Sequence, residues 1–387
     1  MRKKQNSESI CYLAPDVPVP GSRGSSVHVL ELSKSLSKLG YRVHVMARRV
    51  TANDPSFEIV QGVAVHRIFR MIVGGQRTVK MRDRSDRVGT LYYLYLRTIY
   101  TLYVSIVAVF IIRRNHLGLI IERETAFGAG AIASFLTRSP LFLEIVGPRY
   151  SRLSVWRSRK IFYYTDSMLR NWVPKEKCVK VPAGVDVEIF RPNEVLGENT
   201  RRSLGIKLSD FVFGYVGTFQ KWHGLETLFN AVRGLSRDHR EFKLLLVGPN
   251  FTQFKSLSDS LGLNDICIFA GAVNHHEVPN YVNACDAMVA LYEPDTDPLR
   301  KKYGIGFPIK VLEYIACRKP VISTKVEPII SLFGSGQGAL LIDQGNPDQL
   351  RFIMDQLLSG KSRLAPDPSI ALGFTWDELG RIISNCF

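Results

Sequence analysis

One alternation runs the length of this chain and constrains its fold more than any other feature. Short apolar, β-prone runs are separated by segments of helical periodicity. The pattern predicts strands near 9–14 (SICYLA), 42–47 (RVHVMA), 63–69, 118–122, 140–146 and 178–181. It predicts six more near 211–216 (FVFGYV), 242–247, 266–269, 286–291, 320–323 and 339–342. Between them, Val29, Leu32, Leu36 and Leu39 line one helix face before Gly40, which suits a C′ position. Leu225, Leu228, Phe229, Val232 and Leu235 line another. Strands that alternate with helices pair in parallel through crossovers, and strands apolar on both faces need cover on both. An α/β fold with doubly wound parallel sheets is expected.

A chain of 387 residues is long for one core and suits two. Pro182, Gly184 and Pro192 break regular structure in VPAGVDVEIFRP, and a new strand–helix series starts at Phe211. The domain boundary is therefore placed at 184/185. Six cysteines are scattered through apolar runs without CxxC spacing, which argues against a zinc site or a disulfide framework and suits a reducing cytoplasm. Arg2, Lys3 and Lys4 resemble the start of a signal peptide, but the apolar run from Ile10 to Ala14 is too short for one.

The net charge of +16 is one-sided. Residues 67–114 carry ten Arg/Lys against Asp83 and Asp86, and residues 149–180 carry nine against Asp166 and Glu176. Such a surface implies a polyanionic partner: nucleic acid, anionic lipid or a phosphorylated substrate. The basic stretches interleave with long apolar runs and show no nucleic-acid-binding motif, so nucleic acid is not expected. Between Arg97 and Arg113 lie fifteen uncharged residues, TIYTLYVSIVAVFII. A membrane span needs roughly 20, so this is read as a buried or interfacial helix. Tyr92, Tyr93, Tyr95, Tyr100 and Tyr103, with arginines at both ends, suit a membrane interface, and core packing accounts for the same apolar residues.

Three loops carry the chemistry. In PDVPVPGSRGSSVHVLEL, residues 15–32, Gly21 and Gly24 allow close backbone approach, Ser25 or Ser26 can cap the helix, and the helix N-terminus favours a phosphate. In FVFGYVGTFQKWHGLETL, Gly217 ends a strand and Gly224 starts a helix. Lys221 and His223 between them can grip a diphosphate, and Trp222 is expected to pack. In GIGFPIKVLEYIACRKPVIST, residues 304–324, Lys310 and Glu313 share a helix face. A carboxylate there can accept from the two hydroxyls of a ribose and the lysine can meet a phosphate; the alternative is a surface ion pair.

Taken in order, these elements resemble family 4 of the retaining glycosyltransferases, over nearly the whole chain. The resemblance rests on SSVHVLELSKSLSKLGYRVHV, LIIERETAFGAGAIASFLTRSPLFLEIVGP, VPAGVDVEIFRP, YVGTFQKWHGLETL, GFPIKVLEYIACRKPVIST and FTWDEL. It implies the GT-B fold: two facing Rossmann-like doubly wound parallel-sheet domains with an interdomain cleft. Residues 1–184 would hold the acceptor and 185–372 the nucleotide sugar, with a last helix, 373–387, packing back on the first domain. Glu313 would bind the ribose. Gly306 and Phe307 would lie against the donor sugar and phosphate. Gly24, Gly217, Lys221, His223 and Lys310 would surround the diphosphate. His28, Arg123 and Glu144 would face the cleft near the acceptor as the catalytic set.

The chain departs from the family at three places. Ile305 stands where a glutamate eight before Glu313 is usual, Thr218 stands where an arginine often follows Val-Gly, and His223 replaces a lysine. Phosphate charge would then fall to Lys221, His223, Lys310 and helix dipoles. Asp295-Thr296-Asp297 reads as DxD, yet no third ligand is evident nearby, so no metal and no cofactor are expected. The resemblance implies transfer from a UDP- or GDP-linked sugar, with retention, to an acceptor glycan or lipid-linked sugar. The cysteine pattern places the protein in the cytoplasm, and the one-sided basic charge adds an anionic membrane face as a further partner. The rival readings are a non-catalytic GT-B binding protein and a sugar-nucleotide epimerase.

Overall fold

In the computed structural model, the alternation read from the sequence forms two parallel sheets. The structure describes residues 9–21, 23–69, 87–123, 127–147, 150–239, 241–333, 338–361 and 366–387, the side chains of 87–93 excepted. Much of the first basic stretch (70–86), Arg149, residues 2–4 and the side chains of Tyr92 and Tyr93 thus lie outside the described residues. The chain divides into two compact units, Met1–Val181 with Leu379–Phe387, and Pro182–Glu378.

The first unit contains β1 (Ser9–Pro18), α1 (Gly24–Lys38), β2 (Arg42–Arg48), β3 (Phe57–Val60) and β4 (Val63–Ile68). It continues with α2 (Arg87–Asn115), β5 (Leu119–Arg123), α3 (Ala129–Thr137), β6 (Leu141–Ile145), α4 (Arg152–Arg157), β7 (Lys160–Tyr163) and β8 (Cys178–Lys180). The sheet order is β3-β4-β2-β1-β5-β6-β7-β8, with only β3 antiparallel to its neighbour. β1 is central, and Ile10 to Ala14 are wholly buried because helices cover both sheet faces. α2 supplies part of that cover: Tyr100, Val104, Ala108 and Ile111 pack with Cys11, Leu13 and Ile120. Each fully buried large apolar side chain contributes roughly 1.5–3 kcal/mol.

The second unit contains α5 (Glu194–Ser203), β9 (Phe211–Val216), α6 (Leu225–Asp238), β10 (Phe242–Val247), α7 (Thr252–Ser260), β11 (Cys267–Gly271), α8 (Val278–Asn283) and β12 (Ala287–Ala290). Then follow α9 (Pro298–Tyr303), α10 (Ile309–Ala316), β13 (Val321–Thr324), α11 (Ile329–Phe333), β14 (Ala339–Ile342), α12 (Pro347–Leu358), α13 (Ser369–Leu372) and the start of α14 (Trp376–Ser384), whose residues from Leu379 on belong to the first unit. The all-parallel order is β11-β10-β9-β12-β13-β14. Its core joins Leu225, Leu228, Phe229, Val232 and Leu235 of α6 to Phe213, Leu244 and Leu246. In the first unit, the end of the chain packs on the sheet's cover: the Phe387 ring lies 4.9 Å from Phe142. Gly380 meets Ser35 so closely that a Cβ would lie 2.2 Å from its hydroxyl.

All twelve expected strands are present, and two more appear among the described residues. β3 is an edge strand with Phe57 and Ile59 exposed, so it lacks the apolar signature of a covered strand. β7 is four residues beside Arg157 and Arg159, and the charge hides it. Neither Ser25 nor Ser26 caps α1. The N-cap is Arg23, without a side-chain bond, and Ser26 is buried in the first turn. Leu39 leaves the buried face at the C-cap, and Gly40 follows with φ +93°.

In both sheets the winding reverses beside the first strand, between β1 and β5 and between β9 and β12. Crossovers leave a crevice at the carboxyl ends of the strands at such a switch point.

Candidate functional site

At the switch point of the second sheet, β9 ends at Val216 and the chain turns at Gly217, φ +149°. The backbones of β9 and β10 approach so closely here that a Cβ on Gly248 would lie 1.9 Å from the Gly217 carbonyl oxygen. The loop then closes on itself. The Tyr215 hydroxyl donates to the Thr218 carbonyl at 2.6 Å, and His223 Nδ1 lies 2.5 Å from the same oxygen. Gly224, φ +60°, starts α6 against Leu291 and Glu293. The Glu293 N–H donates to the Trp222 carbonyl at 2.8 Å, and Thr227 donates to its carboxylate at 2.5 Å. Tyr314 fastens the strand end from the other side: its hydroxyl accepts from Val216 N–H and donates to Val216 C=O, at 2.9 and 3.1 Å.

Lys310 and Glu313 sit in α10, entered through the irregular segment that contains Gly306 and Phe307. They do not form a surface ion pair. The Lys310 ammonium is buried without a hydrogen-bond partner among the described residues. It lies 4.5 Å from the centre of the Tyr215 ring and 5.2 Å from that of Tyr292. A Cβ on Gly217 would come within 3.3 Å of it. Burial lowers its pKa to about 7, against the pull of the Glu313 carboxylate. Glu313 is also buried, and its Oε1 lies 2.7 Å from His275 Nε2. The Phe190 ring backs His275 at 5.3 Å. A phosphate at Gly217 would supply the acceptor that the ammonium lacks, and the second Glu313 oxygen can accept from a hydroxyl.

The other expected phosphate cations divide. Lys221 is exposed at the loop. His223 is not a cation. Burial lowers its pKa to about 2, the Lys310 charge adds to the effect, and the Thr218 bond opposes it. With its Nδ1 proton on the Thr218 carbonyl, it holds the loop shut rather than gripping an anion. The sequence reading missed Arg300, whose guanidinium stacks 4.7 Å over Trp222 and whose pKa burial also lowers. It brings a cation to this loop from α9, with no motif to announce it. Asp297 of the DxD caps α9, accepting from Leu299 N–H and Arg300 N–H at 2.9 and 3.0 Å. Asp295 pairs with Lys301 at 3.5 Å. The Phe307 ring packs 5.6 Å from Phe374. Ile305, in the place of the usual glutamate, is buried in the unit's interior.

At the switch point of the first sheet, the three expected residues come together. Arg123 and Glu144 are register partners at the ends of β5 and β6, and Tyr164 follows β7. His28, from the second turn of α1, places Nε2 2.5 Å from Glu144 Oε1. The hydroxyls of Tyr12 and Tyr164 donate to Glu144 Oε2 and Oε1. Arg123 completes the group 3.7 Å from Oε2. All five are buried, Glu144 completely. Burial alone would raise the Glu144 pKa. His28, by its charge and its bond, and then Arg123 outweigh burial and hold it down to about 2. Glu144 is therefore a fixed anion that orients His28 and Arg123, and not a proton acceptor. The alternation of the strands conceals Tyr12, since an aromatic in a buried strand reads as core, and Tyr164 follows β7, a strand that the sequence does not announce. Gly24 opens α1 at a point where a Cβ would meet nothing within 4 Å, which leaves room for a ligand.

Residues 197–367 match the family of glycosyl transferases group 1. A D-inositol 3-phosphate glycosyltransferase of Corynebacterium jeikeium (strain K411) is 27% identical over 221 residues, 54% of this chain and 50% of that protein. The chain thus spans about half the length of the curated relatives it matches. The structure of Anabaena HepE in complex with UDP and glucose superposes with a TM-score of 0.72 at 18% identity, covering 97% of this chain and 98% of that one. Sucrose-phosphate synthase from Thermosynechococcus elongatus gives 0.69 at 18% identity, covering 98% of each chain. This likeness shows the GT-B fold.

Proposed function

We propose that this chain, which has the GT-B fold and whose residues 197–367 belong to the glycosyl transferases group 1 family, is a glycosyltransferase. It takes a sugar from a UDP- or GDP-linked donor and passes it, with retention, to an acceptor glycan or lipid-linked sugar. The observation that carries the reading is the Lys310 ammonium, buried at the switch point of the second sheet with no acceptor among the described residues. A charge in that position costs stability unless an anion completes it, and a nucleoside diphosphate is such an anion. Glu313, with one oxygen held by His275, accepts from the ribose. The UDP in the complex of the Anabaena relative supports the same class of ligand.

In this account, the leaving diphosphate is stabilised by Lys310, Arg300 and the backbone N–H groups at the glycine turns, with no resident metal or cofactor. An oxocarbenium-like transition state collapses on the face the diphosphate leaves, and a donor phosphate oxygen takes the acceptor's proton. The first unit binds the acceptor beside His28 and Arg123, which Glu144 holds in place. Cytoplasmic residence fits six cysteines that are all free thiols.

The test is transfer of radiolabelled sugar from UDP- and GDP-hexoses into a membrane extract, with and without chelator. The reading expects label in the extract, unaffected by chelator and lost in Glu313→Ala. A second reading, a nucleotide-sugar binder without transfer, rests on the buried Ile305 at the usual glutamate position. Nucleotide binding without any transfer would establish that second reading instead.

A further inference from the structure

We propose that the layer formed by α2, α3 and α4 in the first unit is a docking face for an anionic lipid bilayer, on which the protein lies without crossing it. Helix α2 is apolar on two sides. One side, with Tyr100, Val104, Ala108 and Ile111, is buried against the sheet. On the other, Tyr95, Leu102, Ile106 and Phe110 are exposed, Ile106 to 67%. They follow one another at intervals of seven, four and four residues, which places them in one stripe along roughly 22 Å of helix.

Exposed aromatics also stand on the neighbouring helices. The Arg113 guanidinium donates to the Leu136 carbonyl at 3.2 Å, which fixes the end of α3 beside that of α2 and presents Phe135, 74% exposed. Gly128, at the start of α3, abuts Leu153 of α4, which carries Trp156, 73% exposed. An apolar surface of this extent marks an interaction site.

Charge identifies the occupant. Arg113 and Arg114 close one end of the stripe, with the Arg114 guanidinium 5.8 Å over the Phe110 ring. The Lys177 ammonium donates to the Trp156 carbonyl at 2.8 Å. Among the described residues from 94 to 165, the only carboxylates are Glu122 and Glu144, and both are buried. Exposed aromatic and aliphatic side chains with Arg113, Arg114 and Lys177 beside them match the acyl boundary and phosphate headgroups of an anionic leaflet. A protein partner would be expected to meet some carboxylates on this face. The 22-residue stretch Leu94–Asn115 is long and apolar enough to cross a membrane. However, its buried side belongs to the core with β1 and β5, and spanning would strip that core. The inference stands on the first unit alone and is independent of the donor-site reading.

The test is cosedimentation with phosphatidylcholine vesicles, with and without phosphatidylglycerol, at low and physiological salt. The wild-type protein should bind only the phosphatidylglycerol vesicles, and more weakly as salt rises. Ile106→Asp with Phe110→Asp should abolish binding. Arg113→Gln and Arg114→Gln should each weaken it about fivefold and flatten its salt dependence. Melting temperature should be unchanged in the double aspartate variant and in Arg114→Gln, and any shift that a nucleoside diphosphate produces should be unchanged in all variants. Three results would overturn the inference. The first is a wild-type protein that ignores phosphatidylglycerol, and the second is a double aspartate variant that binds undiminished. The third is a wild-type dimer that the double variant splits, which would make the face a contact between copies. Vesicle binding that behaves as described, with no nucleotide shift in any variant, would fail the donor-site reading and leave this one intact.

Discussion

The Lys310 ammonium faces the Tyr215 ring at 4.5 Å and has no hydrogen-bond partner among the described residues, one turn from a Glu313 carboxylate that His275 engages instead. The second unit thus holds a separated cation and anion at the carboxyl end of its sheet, each with unused bonding capacity. A nucleoside diphosphate has complementary groups for both.

Lys310 makes stability and binding depend on pH in opposite directions. Its pKa is about 7 in the fold against 10.5 for an ordinary lysine, because it is buried. Between those values the unfolded chain binds the extra proton, so raising the pH stabilises the fold, by up to about 1.4 kcal/mol per unit. Below about 7 both states are protonated and the cost of burial is fully present. A diphosphate needs the charged form, so its affinity should be level below pH 7 and fall up to about tenfold per unit above it. Isothermal titration and denaturant melts across this range, on wild type and Lys310→Met, should show both trends in wild type and neither in the variant.

His223 is held neutral inside its loop, so it contributes to stability and not to phosphate charge. His223→Ala should cost about 1–3 kcal/mol through the lost bond to the Thr218 carbonyl. Its affinity for a nucleoside diphosphate, measured well below the melting temperature, should stay close to wild type. A loss of affinity as large as that of Lys310→Met, at unchanged stability, would return His223 to the phosphate-binding set.

Glu144 is the keystone of the first unit's buried cluster. Its folded pKa of about 2 lies below the ordinary 4.5, so its stabilisation is present above pH 4.5 and lost as pH falls from there through 2. Glu144→Gln should cost about 3–5 kcal/mol, because it leaves Arg123 buried beside a neutral amide. It should also flatten the acid limb of the stability profile. Sugar transfer should fall sharply in the variant, while nucleotide binding, proposed for the second unit, should be retained.

The sequence announced the fold more clearly than the sites. Strands such as FVFGYV and FKLLLV are covered on both faces, so they read as continuous apolar runs. β3 and β7 escaped because an exposed edge and a charged neighbourhood erase that signal. Gly217, Lys310 and Glu313 were legible because a glycine turn and an i,i+3 pair are local patterns. Tyr215, Tyr292, His275 and Arg300 were not, since each reaches the site from a different element and only the tertiary fold brings them together. For the same reason, the sequence counted His223 as a basic residue, and only its burial shows it to be neutral.

The central claim is that Lys310 and Glu313 together hold a nucleoside diphosphate. Its most direct test is a thermal-shift screen of UDP, GDP and ADP and their sugar conjugates against wild type, Lys310→Met and Glu313→Ala. A ligand present at a hundred times its Kd stabilises the fold by about 2.7 kcal/mol. The account predicts that one nucleotide series raises the wild-type melting temperature and shifts neither variant, while Lys310→Met without ligand melts at or above wild type. A full shift in both variants, or no shift by any nucleotide in the wild-type protein, would contradict it.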